Sequence, residues 1–77
     1  MLEMRPNCER CDKDLPPASD QAMVCSFECT FCVDCVAGPL AGACPNCGGE
    51  LQQRPTRAAA LLAKFPASTK RIRGAHE

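Results

Sequence analysis

The sequence predicts a small metal-stabilised α+β module with little hydrophobic core. Three observations lead there: a chain of 77 residues, an aromatic content limited to Phe27, Phe31 and Phe65, and eight cysteines. A chain this short buries a small share of its surface, and such domains rely on disulfides, metals or oligomerisation. With no Trp, no Tyr and much of the apolar count made of Ala and Cys, packing alone is a weak source of stability here.

Cysteine at this density means either a disulfide scaffold or a metal site, and the compartment decides between them. The opening MLEMRPNCERCDKDLPP contains neither an apolar run nor a small-residue cleavage site of the secretory kind. No stretch approaches the roughly 18 apolar residues of a membrane span. The expectation is a cytoplasmic, reducing location with no membrane attachment, where cysteines serve as ligands.

All eight cysteines fall between positions 8 and 47, which sets the expected metal module at residues 1–54 and a basic tail at 55–77. Their order is Cys8-x2-Cys11, thirteen residues, Cys25-x3-Cys29, two residues, Cys32-x2-Cys35, eight residues, Cys44-x2-Cys47. A two-residue gap lets both sulfurs turn toward one ion while backbone N–H groups of the tight loop point at them. Zinc takes four soft ligands in a tetrahedron, and two such knuckles supply them. Eight thiols make two closed sites with none left over, so all eight are the candidate ligands, for two zinc ions. The single histidine, His76, is far from them in sequence and is read as a solvated bystander.

Around these ligands the expected elements are short. Pro16-Pro17 with Ala18, Ser19 and Asp20 reads as a loop. Residues 21–28 read as a strand or hairpin arm, residues 32–37 as a short helix ended at Gly38-Pro39, and CPNCGGEL as a turn followed by a brief strand. In the tail, Thr56 is a candidate N-cap for a short helix over 57–64, stopped by Pro66. Residues 68–77 are polar and basic and are expected to be disordered.

The ligand order is similar to that of the RING finger: a C-x2-C pair, a longer loop, a mixed third and fourth ligand, an adjacent C-x2-C, a gap, then C-P-x-C. The likeness covers Cys8 to Cys47 and departs at the fourth ligand, where RING fingers usually carry His and this chain carries Cys29. It implies treble-clef-type knuckles, a short β-hairpin, one short helix and a cross-brace. Cys8, Cys11, Cys32 and Cys35 would then take one zinc, and Cys25, Cys29, Cys44 and Cys47 the other. Sequential pairing, with Cys8/Cys11/Cys25/Cys29 and Cys32/Cys35/Cys44/Cys47, is also compatible with the spacing. The cross-brace is favoured because interleaved sites tie the module into one unit. A nearer resemblance rests on MLEMRPNCERCDKDLPP, CSFECTFCVDC and CPNCGGEL followed by RP. These runs look like a family of small uncharacterised bacterial proteins, a domain of unknown function, over residues 1 to about 57. That resemblance implies a bacterial source and a RING-like zinc fold, and supplies no activity.

Function classes can be weighed on the same residues. RING ubiquitin ligases usually present an apolar residue before the second ligand, a large apolar platform residue between ligands six and seven, and a basic residue after the last. Here those places hold Arg10, at best Leu40, and Gly48; only Pro45 matches. Glu9, Arg10 and Lys13 are expected to form a polar rim, a poor hot spot for a partner. Four thiolates leave zinc no open position for catalysis, so no enzyme activity is expected. CPNCGG resembles half of a rubredoxin site, and an iron-thiolate electron carrier is an alternative, but four cysteines would stay unexplained and the aromatic core is missing.

Charge separates the two parts. Residues 1–50 carry three bases and eight acids; residues 51–77 carry six bases and one acid. A dication with four thiolates adds a net −2 per site. Nucleic acid would therefore be repelled by the module and met only by the tail, through Arg54, Arg57, Lys64, Lys70, Arg71 and Arg73. A solvated tail, or one folded back on its own acidic module, is the plainer expectation. The leading reading is a monomeric, non-catalytic zinc module acting as a protein-interaction adaptor. Its candidate contacts are Phe27, Phe31, Val33, Val36 and Leu40, most of them expected in the small core between the ions.

Overall fold

The computed structural model describes residues 2–71. It contains β1 (Ala22–Val24), β2 (Thr30–Cys32), α1 (Val33–Ala37), β3 (Gln52–Gln53) and α2 (Ala59–Leu62). The strands form one antiparallel sheet in the order β2-β1-β3. β1 pairs with β2 through Ala22–Cys32, Met23–Phe31 and Val24–Thr30, and with β3 through Met23–Gln53 and Val24–Gln52. The fold is thus small α+β, with elements well below ordinary length. No helix among the described residues is long and apolar enough to cross a membrane.

The first two strands end at or next to cysteines. The strand expected over 21–28 stops at Val24, because Cys25–Glu28 turns: Glu28 N–H donates to the Cys25 carbonyl at 3.0 Å and Cys25 N–H to the Cys29 carbonyl at 3.2 Å. Glu28 adopts φ 65° to close that turn, an unusual conformation for a residue with a Cβ. β2 then runs into α1, with Cys32 as its extended N-cap. The Gly38 N–H bonds back to the Asp34 carbonyl at 3.1 Å and ends the helix where the Gly-Pro pair predicted. In the last knuckle, Gly48 takes φ 77° while its N–H donates to the Cys44 carbonyl at 2.8 Å. Substitution there is strained whatever the space around it.

The core is thin. Leu15, Ala22, Phe31, Val36 and Leu51 are buried together with Cys8, Cys25, Cys29, Cys32, Cys35 and Cys44, and Met23 and Leu40 pack against them. More than half of the fully enclosed set is sulfur-bearing. Of the candidate contact residues, Phe31 and Val36 lie in this core, Val33 and Leu40 are half-buried, and Phe27 is 71 % exposed.

The tail departs from its expected shape. Helix α2 has only four residues, and its N-cap is Ala58, not Thr56. The stretch before it is held open by Arg57, whose guanidinium donates to the carbonyls of Leu2 (2.6 Å), Phe65 (2.6 Å) and Pro66 (3.3 Å). Ser68 N–H donates to the Glu3 carbonyl at 2.9 Å. Arg71 pairs with Asp14 at 2.8 Å and Asp12 at 3.0 Å. Through residue 71 the basic segment therefore folds back on the acidic module.

Arg54 is the larger surprise. Expected as a solvent-facing cation, it is 1 % exposed. Its Nη1 donates to the Arg5 carbonyl at 2.9 Å, and its Nη2 to those of Leu15 and Pro16 at 3.1 and 3.0 Å. Its backbone N–H donates to Ala22 at the start of β1. One guanidinium therefore ties the N-terminal segment, the Pro-Pro loop and the end of β3 together. Burial pulls it below its ordinary pKa, yet arginine keeps its charge. Arg54→Ala is expected to lower the free energy of unfolding by about 3 kcal/mol, since it removes the donor to the Arg5, Leu15 and Pro16 carbonyls at once, leaving Pro16 with the Ser19 N–H. Arg54→Lys, with a point charge in place of a planar fork, should recover only part of it in a denaturant titration.

Candidate metal centre

The Sγ atoms of Cys8, Cys11, Cys32 and Cys35 all lie within 4.8 Å of one another. The first two come from the N-terminal knuckle; the others sit at the end of β2 and in the first turn of α1. Twenty residues separate the pairs in sequence, and the hydrogen bonds between Glu9 and Thr30 of β2 close that distance. Cys8 and Cys35 sulfurs are 3.8 Å apart, and those of Cys11 and Cys32 are 3.7 Å apart. A tetrahedral ion with metal–sulfur bonds of about 2.3 Å has its sulfurs about 3.8 Å apart. The cluster has the dimensions of a four-thiolate site.

A second cluster joins Cys25, Cys44 and Cys47 within the same limit. Cys29, the remaining expected ligand, is buried and hydrogen-bonds with both Cys25 and Cys44, but its sulfur is not within 4.8 Å of all three. The three-residue gap after Cys25 carries Cys29 to the mouth of β2, where its carbonyl is already engaged by Cys25 N–H. The two clusters interleave along the chain. Grouping by sequence neighbours, with Cys25 beside Cys8 and Cys11, is not what the structure brings together.

Backbone donors converge on these sulfurs. Cys11 N–H points at Cys8 Sγ (3.5 Å), Phe27 N–H at Cys25 Sγ (3.3 Å) and Gly49 N–H at Cys47 Sγ (3.4 Å). Burial pushes the Cys8 thiol up, but the amides of Cys11, Cys32 and Arg10 outweigh it and the net shift is downward. At Cys25, too, burial is outweighed, by the Phe27 amide and the Cys29 thiol. Burial, with neighbouring sulfurs, pushes Cys35 and Cys44 up to about 12. Such a crowd of thiols does not ionise together unless a cation is placed among them, and a bound metal ion deprotonates its thiols outright. Arg10 supplies part of a counter-charge at the first cluster, with Nη1 3.9 Å from Cys35 Sγ.

Two features of the site were not read from the sequence. Glu9, expected on a polar rim, is 2 % exposed and lies between the clusters. Asn46, inside the last C-x2-C, bonds both Glu9 and Cys29. Neither carried a local signal, since both occupy loop positions where polar residues are ordinary. His76 lies outside the described residues.

The family model for proteins of unknown function designated DUF1272 matches residues 1–57. The chain belongs to this family. It is also 62 % identical over 72 residues to an uncharacterised protein of Rhizobium meliloti (strain 1021), covering 94 % of this chain and 86 % of that protein. No solved structure matches the chain. The bacterial family expected from the three cysteine-bearing runs is therefore the one found, and it brings no activity with it.

Titrated with cadmium, one ion is expected to correlate by NMR with the β-protons of Cys8, Cys11, Cys32 and Cys35, and a second with those of Cys25, Cys29, Cys44 and Cys47. Correlations from one ion to Cys11 and Cys25 together would refute the interleaved arrangement.

Proposed function

We propose that the chain is a structural zinc module: two four-thiolate ions in a RING-like cross-brace, non-catalytic, presenting its outer surface to a protein partner. The observation that carries the reading is the cluster of Cys8, Cys11, Cys32 and Cys35, whose 3.7 and 3.8 Å sulfur separations suit a tetrahedral ion. Cys29 completes the second site by a small inward shift once a cation replaces thiol–thiol contacts. The ions are structural because four thiolates leave no coordination position for water or substrate. Thiol ligands require a reducing compartment, which supports a cytoplasmic location.

The adaptor reading is supported by what the fold leaves outside. Phe27, 71 % exposed, stands at the tip of the Cys25–Cys29 turn, where a bound ion would hold it rigidly; aromatic side chains on a stiff mount are favoured interface anchors. Binding of nucleic acid through the tail loses support, since Arg54 is buried and Arg57 and Arg71 are committed within the chain.

Metal analysis of the purified protein is expected to give two zinc ions per chain and no visible thiolate-to-iron absorption; iron bands would overturn the choice of metal. Structural zinc is worth about 10–16 kcal/mol in finger peptides, more than a core this thin supplies. A strong chelator should accordingly unfold residues 8–50 in one cooperative step by circular dichroism. Cys32→Ser and Cys44→Ser should be as damaging as the chelator, whereas His76→Ala should leave metal content and melting unchanged. For the partner surface, Phe27→Ala should keep both ions yet lose the protein recovered by affinity capture with the unaltered chain. Capture insensitive to Phe27 would count against that surface.

A further inference from the structure

Glu9 joins the two cysteine clusters through the middle of the molecule. Its backbone belongs to the first knuckle, between Cys8 and Cys11, and its N–H donates to the Thr30 carbonyl at 2.9 Å. Its carboxylate Oε2 accepts from Thr30 N–H at 2.6 Å and from Arg5 Nη1 at 2.9 Å. Its Oε1 accepts from Asn46 Nδ2 at 3.3 Å. Thr30 is the residue after Cys29 and two before Cys32, so it connects one cysteine of each cluster. Asn46 lies between Cys44 and Cys47 and also bonds the Cys29 thiol. A single buried side chain thus touches the first knuckle, the strand shared by both clusters, and the last knuckle.

A carboxylate placed between two thiolate clusters meets repulsion that a neutral acceptor would avoid. Arg5 offsets it from one side at 2.9 Å, and is itself anchored by Glu3 at 3.0 Å. What the charge contributes in return is strength: hydrogen bonds accepted by a buried carboxylate are about twice as strong as neutral ones, and networks in a low-dielectric interior reinforce one another.

We propose that Glu9 couples the two metal sites, so that filling one prepares the other. This coupling presupposes two bound ions. A metal at Cys8, Cys11, Cys32 and Cys35 fixes the first knuckle and with it the backbone of Glu9. The carboxylate then holds Thr30 and Asn46, and through them Cys29 and the Cys44–Cys47 loop, in place for the second ion. The ordering entropy of the second site is largely spent when the first is filled, which is positive cooperativity without contact between the ions. Glu9 is a positioning residue in this scheme and ligates neither metal.

The test is a zinc titration of the reduced, metal-free chain followed by native mass spectrometry. Coupling of about 100-fold, within the ordinary range for linked sites, leaves about a tenth of chains singly loaded at half saturation, against about half for equal independent sites. The unaltered chain should show the lower share. Glu9→Gln should raise it to half or more while two ions still bind at saturation. Asn46→Ala, which removes an exposed side chain and leaves Glu9 still paired with Arg5, should move it the same way and decides the matter if Glu9→Gln fails to fold. Arg54→Lys serves as a destabilised control and should leave the share low. Half or more singly loaded in the unaltered chain overturns the coupling, as do variants that weaken both sites while keeping its distribution. Fewer than two ions at saturation would instead refute the two-metal reading, and the coupling with it.

Discussion

Crowding of cysteine sulfurs is the constraint on which the rest of the structure depends. Two clusters draw thiols from four separate stretches of chain to within 4.8 Å, closer than repelling thiolates would settle by themselves. The cost appears in the thiols of Cys35 and Cys44, both pushed up to about 12 by burial and by their neighbours. A divalent cation bound there would reverse the sign of that interaction and turn the least favourable part of the molecule into its anchor. Short strands then suffice around the clusters: β1 stops just before Cys25, and β2 runs through Cys32 into α1.

The polar interior follows from the same constraint. A module with so few large apolar side chains cannot seal the space between its clusters with hydrocarbon. It uses Glu9, Asn7, Thr30 and Arg54 instead, all buried. Glu9 and Arg54 divide the work: one lies between the cysteine clusters, the other clamps the N-terminal segment and the Pro-Pro loop against the sheet. Each has several partners, as buried charged groups require, although Arg54 Nε is buried with none. Charge in this chain is structural inside and self-paired outside, where Arg71 meets Asp12 and Asp14. That arrangement leaves Phe27 as the most exposed large apolar side chain among the described residues.

The cysteine pairs, the helix after Cys32 and its end at Gly38 were legible in the sequence because each is local. A C-x2-C loop and a Gly-Pro stop are decided by residues within a turn of one another. The hairpin arm was read too long, since nothing in Cys25–Glu28 announces the left-handed residue that folds it back. The tail helix was read too long because Ala/Leu propensity says nothing of Arg57, whose carbonyl partners at Leu2, Phe65 and Pro66 hold its surroundings open.

By itself the sequence determined the number of thiols, their grouping into knuckles and the bacterial family, and with them the kind of chemistry this chain can do. Tertiary structure decided which knuckles face each other, because the hydrogen bonds between Glu9 and Thr30 set Cys32 and Cys35 beside Cys8 and Cys11. It also decided the fate of the charges. Glu9 and Arg54 look like surface residues in a linear reading, since a charge is placed inside only when several partners converge on it. Those partners come from segments up to 49 residues away, and only folding brings them together.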